Sequence, residues 1–198
     1  MNGVTALLGG AFDPPHNGHV ALARAAVEQF APEELVVLVA VRPGHKKVSL
    51  EAEIRLSLAR VAFPDFPVEL DGHARTIDML RDARWRDPLF LIGADEFCDF
   101  PTWKDPEGVL ERARLAVATR PGYPRERLDE VLDRLTHPER VLFFEIEPLP
   151  ISSRDIRDSI ARGDAIDGLV PPPVAELVVE LGLYRGYTET EGKDPKKL

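Results

Sequence analysis

Residues 9–20 read GGAFDPPHNGHV, so two glycines, an Asp-Pro-Pro corner and two histidines three residues apart bear on one short turn. Gly9 and Gly10 predict backbone torsions that a Cβ would forbid, and close approach of a ligand to the main chain. Asp13 can accept hydrogen bonds from nearby backbone N–H groups, while Pro14 and Pro15 stiffen the corner without adding donors. A helix starting near Asn17 puts His16 and His19 beside free N–H groups at the positive end of its dipole, with Gly18 leaving space between them. That combination suits a phosphate. A neutral imidazole donates one hydrogen bond and an adjacent phosphate favours the charged, doubly donating form, so neither histidine need be a nucleophile. Zinc is the competing chemistry, but no Cys, Glu or third His completes a ligand set nearby. A plain solvent-exposed corner would account for either histidine alone and accounts poorly for all these features together. The usual NAD-binding fingerprint is excluded: no G-x-G-x-x-G follows the first strand and no acidic residue ends the second.

Two other stretches carry phosphate chemistry. In ISSRDIR, residues 151–157, Ser152 or Ser153 can cap the following helix, leaving other N–H groups free, with Arg157 one turn inside. RPGHKK, residues 42–47, turns at Pro43-Gly44 and gathers His45, Lys46 and Lys47 at a strand end. Taken alone, the first is also a plain N-cap and the second a solvated loop. Trp103, in the polar, proline-broken loop TWKDP, is poorly placed for a core and well placed to cover a flat ring. Trp85 matches no such pattern and is assigned to packing.

The elements that must position these groups follow from hydrophobic patterning. Residues 4–8 read as a short buried strand ending in Gly9-Gly10, and apolar residues from Val20 to Phe30 recur at helical spacing. Strands are expected at 35–41, 66–70, 88–93, 115–119 and 141–146, and the run LVVLVAV at 35–41, apolar without alternation, suits a parallel strand covered on both faces. Helices are expected at 50–63, 76–84, 108–112, 152–162 and 173–181, with Gly163 and Gly182 as C-caps. This is an α/β chain with a doubly wound, Rossmann-like parallel sheet and right-handed crossovers, whose ligands sit at the carboxyl ends of the strands where strand order reverses. A single domain over residues 1–187 is expected, followed by a disordered tail over 188–198.

Composition narrows the partners. The chain has 198 residues, 44% hydrophobic and 30% charged, in the range of an ordinary globule. A formal net charge of −9 argues against long duplex nucleic acid, so a polyanionic ligand must be held by a local pocket of N–H groups, His, Lys and Arg. The longest clean apolar run, 35–41, is too short to span a bilayer, and MNGVTALLGG lacks a basic segment before its apolar stretch; a cytoplasmic protein without membrane partners is expected. The lone Cys98 is expected to be a buried, inert thiol. Oligomeric state leaves no readable trace, and a homo-oligomer is left open.

GGAFDPPHNGH resembles the G-T-F-D-P-x-H-x-G-H signature of the nucleotidyltransferases that share features with class I aminoacyl-tRNA synthetases, departing at Ala11, where Thr is usual. ISSRDIR resembles their I-S-S-T-x-I-R, with Arg154 for Thr. Within that group, residues 91–123 closely resemble the bacterial nicotinate-mononucleotide adenylyltransferases: I-x-G-x-D, an aromatic, Trp-Lys, then a strand ending in Arg-Pro-Gly-Tyr. RPGHKK resembles their P-P-H-K loop, with Gly44 for the second Pro, and ARTIDML their Y-T-I-D-T-L, with Arg75 for Tyr.

The resemblance implies an adenylyltransferase that joins ATP and nicotinate mononucleotide into deamido-NAD and pyrophosphate. Gly9, Gly10, Ala11, Phe12, Gly18, Gly93, Asp95, Ser152 and Ser153 would contact ATP, with Asp95 on sugar hydroxyls or a hydrated metal. His16, His19, Lys46 and Arg157 would act on the phosphates, and His45, Thr76 and Trp103 on the mononucleotide, with the Trp103 ring stacked on the pyridine and Thr76, with its neighbours' backbone, helping to recognise the nicotinate carboxylate. Mg²⁺ would accompany ATP without direct protein ligands. In-line transfer needs no covalent intermediate, only positioning and stabilisation of charge. The rivals are phosphopantetheine adenylyl transfer, cytidylyl transfer, a tRNA synthetase fragment and a non-catalytic nucleotide sensor. The departures at Ala11, Gly44 and Arg154 keep the sensor open.

Overall fold

The computed structural model describes residues 3–44, 47–147 and 149–187, so the expectations for His45, Lys46 and the tail from Thr188 fall outside it. Six strands, β1 (Thr5–Gly10), β2 (Glu34–Ala40), β3 (Val68–Asp71), β4 (Leu89–Gly93), β5 (Arg114–Thr119) and β6 (Val141–Glu145), form one sheet in the order β3-β2-β1-β4-β5-β6. Every pairing is parallel, as the unalternating apolar runs predict. Strand order reverses between β1 and β4, which puts Gly9-Gly10 and Gly93 side by side at the carboxyl edge where such sheets bind ligands.

The connecting helices are α1 (Asn17–Phe30), α2 (Ala52–Ala62), α3 (Thr76–Arg81), α4 (Ala94–Asp99), α5 (Pro106–Arg112), α6 (Arg125–Leu132), α7 (Ser153–Arg162) and α8 (Pro172–Glu180). They cover both faces of the sheet. Leu35, Val37 and Val39 of β2 point into one core with Ala23 and Ala26 of α1 and Leu58 and Ala59 of α2. Val36 and Leu38 point into the other, with Ile77 of α3, Phe97 of α4 and Leu110 of α5. A central strand such as β2 therefore needs apolar residues at successive positions, because both of its faces are buried, whereas the edge strand β3 (VELD) has no buried residue.

Two helices, α4 and α6, are absent from the sequence expectation. α4 is one short stretch between a strand and Pro101, too brief for periodicity to register. α6, RERLDEVL, buries only Leu128 and Val131, and two apolar contacts in a charged segment give a weak helical signal. Gly163 caps α7 in the left-handed region (φ 80°), and Gly182 follows the α8 cap Leu181 (φ 62°), as expected. Cys98 departs from expectation: it is half-buried rather than buried, with Sγ 3.4 Å from the Tyr123 hydroxyl.

Candidate active site

The loop from β1 to α1 is fastened from every side. Arg55, in the middle of α2 and 1% exposed, donates from Nη1 to the carbonyls of Ala11 (2.7 Å) and Ala40 (2.8 Å), from Nη2 to Val41 (3.3 Å) and from Nε to Leu50 (3.0 Å). Asp13 accepts the Ser49 N–H at 2.5 Å, the backbone contact expected of it, and also the hydroxyl of buried Tyr184 at 2.9 Å. Burial, and then the Asp13 charge, push the Tyr184 phenol well above its ordinary range, so it stays a donor.

The glycines of this loop do a different job from the one expected. Neither Gly9 nor Gly10 has positive φ; Phe12 does, at 51°. That turn folds the Phe12 ring back under the strand end, where it is 1% exposed, and a Cβ on Gly10 would meet its Cζ at 2.8 Å. A Cβ on Gly9 would meet the Phe90 ring at 3.2 Å. These glycines make room for buried rings, and Phe12 can offer a ligand only its backbone. Gly18 likewise does not separate the histidines: a Cβ there would meet His16 Nδ1 at 3.0 Å, and the two imidazoles stack with centroids 3.7 Å apart at 29°.

His16 is the N-cap residue of α1, 8% exposed, and its Nδ1 is buried with no hydrogen-bond partner among the described residues. Its backbone N–H donates to His19 Nδ1 at 3.2 Å, which fixes His19 as the tautomer protonated on Nε2. The Asn17 N–H goes to the Leu169 carbonyl and the His19 N–H to the His16 carbonyl, both at 2.9 Å. The helix start therefore offers fewer free N–H groups than expected, and the imidazoles become the more important donors.

Burial lowers the His16 pKa from its ordinary 6.5 to about 4. The unfolded chain then binds the extra proton between those values, so this residue's contribution is fully present above pH 6.5 and lost as pH falls toward 4. The loss integrates to about 3 kcal/mol. We expect the Tm difference between native protein and His16→Gln to change across that interval. A difference constant from pH 7 to 4 would mean that His16 is not held neutral.

The ISSRDIR element joins the same loop. Ser152 caps α7, accepting the Asp155 N–H at 3.1 Å and donating to its carboxylate at 2.6 Å. Ser153 Oγ donates to the Pro14 carbonyl at 2.8 Å. Arg157, 7% exposed, donates to the Asp13 carbonyl at 2.7 Å and to the Tyr187 hydroxyl at 3.3 Å, stacking over that ring at 4.9 Å. The Ser153 hydroxyl and part of the Arg157 guanidinium thus hold the loop in shape, while the Ser152 hydroxyl serves its own helix; Arg157 Nε is buried and has no partner among the described residues. Arg154 is exposed.

Beside the loop lies a cavity of about 520 Å³ at the carboxyl edge of the sheet. Gly9, Gly10 and Ala11 form part of it, with Arg42 and Gly44 from the turn after β2, Thr76 from the start of α3, and Trp103. Trp103 is half-buried, edge-on to Phe100 (5.3 Å, 67°) and Phe90 (6.3 Å, 85°). Its loop is clipped to α3 by Lys104 on Asp78 (3.2 and 3.3 Å) and Arg81 on Asp105 (2.8 Å). His73, another lining residue, sits between Asp71 (2.6 Å) and Asp82 (2.8 Å); the Asp71 bond first, and then Asp82, raise its pKa against the effect of burial. Trp85 packs at the edge of the second core under Arg84, as assigned.

The expected residues thus fall into two groups. Gly9, Gly10, Ala11, Thr76 and Trp103 line the cavity. His16, His19, Gly18, Ser152, Ser153 and Arg157 form the adjoining loop and helix start. Gly93, at the end of β4, has nothing within 4 Å of where a Cβ would stand, leaving its backbone open to approach. Asp95, in the first turn of α4, accepts the Tyr123 hydroxyl at 3.0 Å. Arg55 was missed by sequence reasoning, although an arginine on the apolar face of α2, in register with Ala52, Leu58, Ala59 and Ala62, is a signal for a buried strut. Tyr184 and Tyr187 carry no local signal.

Known proteins share the fold and much of the sequence. A nicotinic acid mononucleotide adenylyltransferase from Plasmodium falciparum, solved with NaAD, superposes with a TM-score of 0.75 at 17% identity, covering 92% of this chain and 97% of that one, and so shares the fold. A relative from Bordetella avium named "probable nicotinate-nucleotide adenylyltransferase" is 33% identical, covering 90% of this chain and 96% of its own. A relative from Thermus thermophilus with the same name is 37% identical, covering 90% and 98%. Residues 7–159 match the cytidylyltransferase-like family, and with them the chain belongs to that family and to its nicotinate-nucleotide adenylyltransferase branch.

Proposed function

We propose that this protein transfers the adenylyl group of ATP to nicotinate mononucleotide, giving deamido-NAD and pyrophosphate. The observation that carries the reading is the joining of the two phosphate-facing motifs, Ser153 to Pro14 and Arg157 to Asp13, next to a cavity walled by the flat Trp103 ring. The names of the relatives supply the substrates.

A 5′-phosphate oxygen of the mononucleotide attacks the α-phosphorus of ATP, a new P–O bond forms, and the bond to the β-phosphate breaks in line. His19 Nε2–H and the His16 ring donate to phosphate oxygens at the start of α1, where the helix dipole also favours negative charge. His16, neutral in the ligand-free protein, gains basicity as phosphate charge arrives. Arg157 fixes the loop and offers Nε to the departing pyrophosphate, while Lys46 acts on the phosphates and His45 on the mononucleotide. Ala11, Phe12, Gly18, Gly93, Asp95, Ser152 and Ser153 shape the ATP side, and Thr76 and Trp103 hold the pyridine. Mg²⁺ would enter on the triphosphate, with phosphate and water as its ligands. Among the described residues, no helix is long and apolar enough to cross a membrane.

The direct test is pyrophosphate release from ATP with nicotinate mononucleotide, repeated with nicotinamide mononucleotide, with phosphopantetheine and with CTP in place of ATP. Release with phosphopantetheine alone, or with CTP alone, would replace the reading, and ATP binding without release would make the protein a sensor. Trp103→Ala is expected to raise the mononucleotide KM about tenfold, in line with the value of a stacked ring, with little change in the KM for ATP. An unchanged mononucleotide KM would remove Trp103 from the ring site.

A further inference from the structure

Four cations line the cavity: Arg42, His73, Arg75 and Lys104. Two are committed within the protein, His73 to Asp71 and Asp82, and Lys104 to Asp78. Among the described residues the side chains of Arg42 and Arg75 have no hydrogen-bond, ion-pair or ring partner. What sets these two apart is their place: both line the cavity, so their charge faces it uncompensated. The acid one turn beyond Arg75, Asp78, is already held by Lys104 and by Arg81 at 3.5 Å, so it does not neutralise its neighbour.

The two arginines differ in position. Arg42 follows β2, on the turn that carries Pro43 and Gly44. Arg75 is the N-cap residue of α3, next to Thr76, and the Trp103 loop is clipped to this same helix. Arg75 and Trp103 therefore belong to one fastened wall, a flat ring and an uncompensated guanidinium facing the same space. The lining acids Glu96 and Asp99 come from α4 instead, and a pyridine mononucleotide carries a ring cation that suits negative charge as well as its substituent.

We propose that Arg75 selects the acid over the amide, pairing its guanidinium with the ring carboxylate of nicotinate mononucleotide; this rests on the proposed reaction. The two mononucleotides are nearly isosteric and differ at that one substituent, so shape alone discriminates weakly. A guanidinium has five donors and no acceptor. It meets a carboxylate with two parallel hydrogen bonds and a charge, but leaves the NH₂ group of a carboxamide facing donors.

The experiment measures pyrophosphate release with each mononucleotide for native protein, Arg75→Gln, Arg75→Lys and Arg42→Gln. In Arg75→Gln the ratio of kcat/KM, acid to amide, is expected to fall at least about tenfold through the acid KM, with the KM for ATP unchanged. Arg75→Lys retains part of the ratio, because charge survives while the two-point geometry does not. Arg42→Gln changes both mononucleotides by the same factor. A native ratio near one, a ratio that survives Arg75→Gln, or one that collapses in Arg42→Gln instead would overturn the assignment. No release with either mononucleotide by the native protein is a separate result, and it sinks the proposed reaction itself.

Discussion

His19→Ala is expected to lower kcat for pyrophosphate release about a hundredfold, roughly 3 kcal/mol of transition-state stabilisation, in a chain that still folds. His19 Nδ1 is occupied by the His16 N–H, so the ring presents Nε2–H as a donor whose direction is set by the stack on His16 and the edge contact with Phe12 (centroids 5.0 Å). A donor fixed before the reaction needs no reorganisation as charge builds on the phosphate. The structural loss is smaller, about 1 kcal/mol for one acceptor at a partly buried N–H, and shows as a modest fall in Tm. Turnover within about threefold of native in a folded variant would take His19 out of the chemistry.

Arg55→Ala should have the largest effect on stability. Its guanidinium satisfies the carbonyls of Ala11, Ala40, Val41 and Leu50, tying the β1–α1 loop to the end of β2 and to the segment that leads into α2. Burial lowers its pKa, and the nearby Asp13 charge is the first of the influences that oppose this, so the charge has local compensation. Truncation leaves several carbonyls short of a donor and removes the positive charge near the buried Asp13 carboxylate, besides opening a cavity. The expected cost is about 4 kcal/mol, equivalent to a fall in Tm of roughly 10 °C for a chain of this size. Arg55→Met, which fills the space without the donors, should recover only a minor part. A urea midpoint for Arg55→Met equal to that of the native protein would show that the hydrogen bonds contribute nothing net.

The central strands were readable because they are buried on two faces and carry continuous apolar runs, as LVVLVAV does at 35–41, whereas the edge strand β3, VELD, has no buried residue. Gly163 announced the end of α7 because a left-handed cap is a local requirement. α6 was not readable, since two buried residues in a charged segment leave its existence to packing against α4. Thr76 and Trp103 were legible as ring-site candidates, yet their sharing of one wall depends on the Lys104–Asp78 and Arg81–Asp105 clips between separate segments.

The sequence by itself determined a parallel α/β fold, the turn at the end of its first strand and the family to which that turn belongs, because propensity, periodicity and a contiguous motif are encoded within a few residues of one another. Tertiary structure decided what the motif residues do. The Pro14 carbonyl takes its donor from 139 residues away, the Asp13 carbonyl from 144 and the Asp13 carboxylate from 171. Gly10 owes its identity to the Phe12 ring, His16 its neutrality to burial, and Arg75 its lack of a partner to an aspartate already taken by Lys104 and Arg81. Such outcomes depend on which groups are left over once the chain has packed, and no local pattern records them.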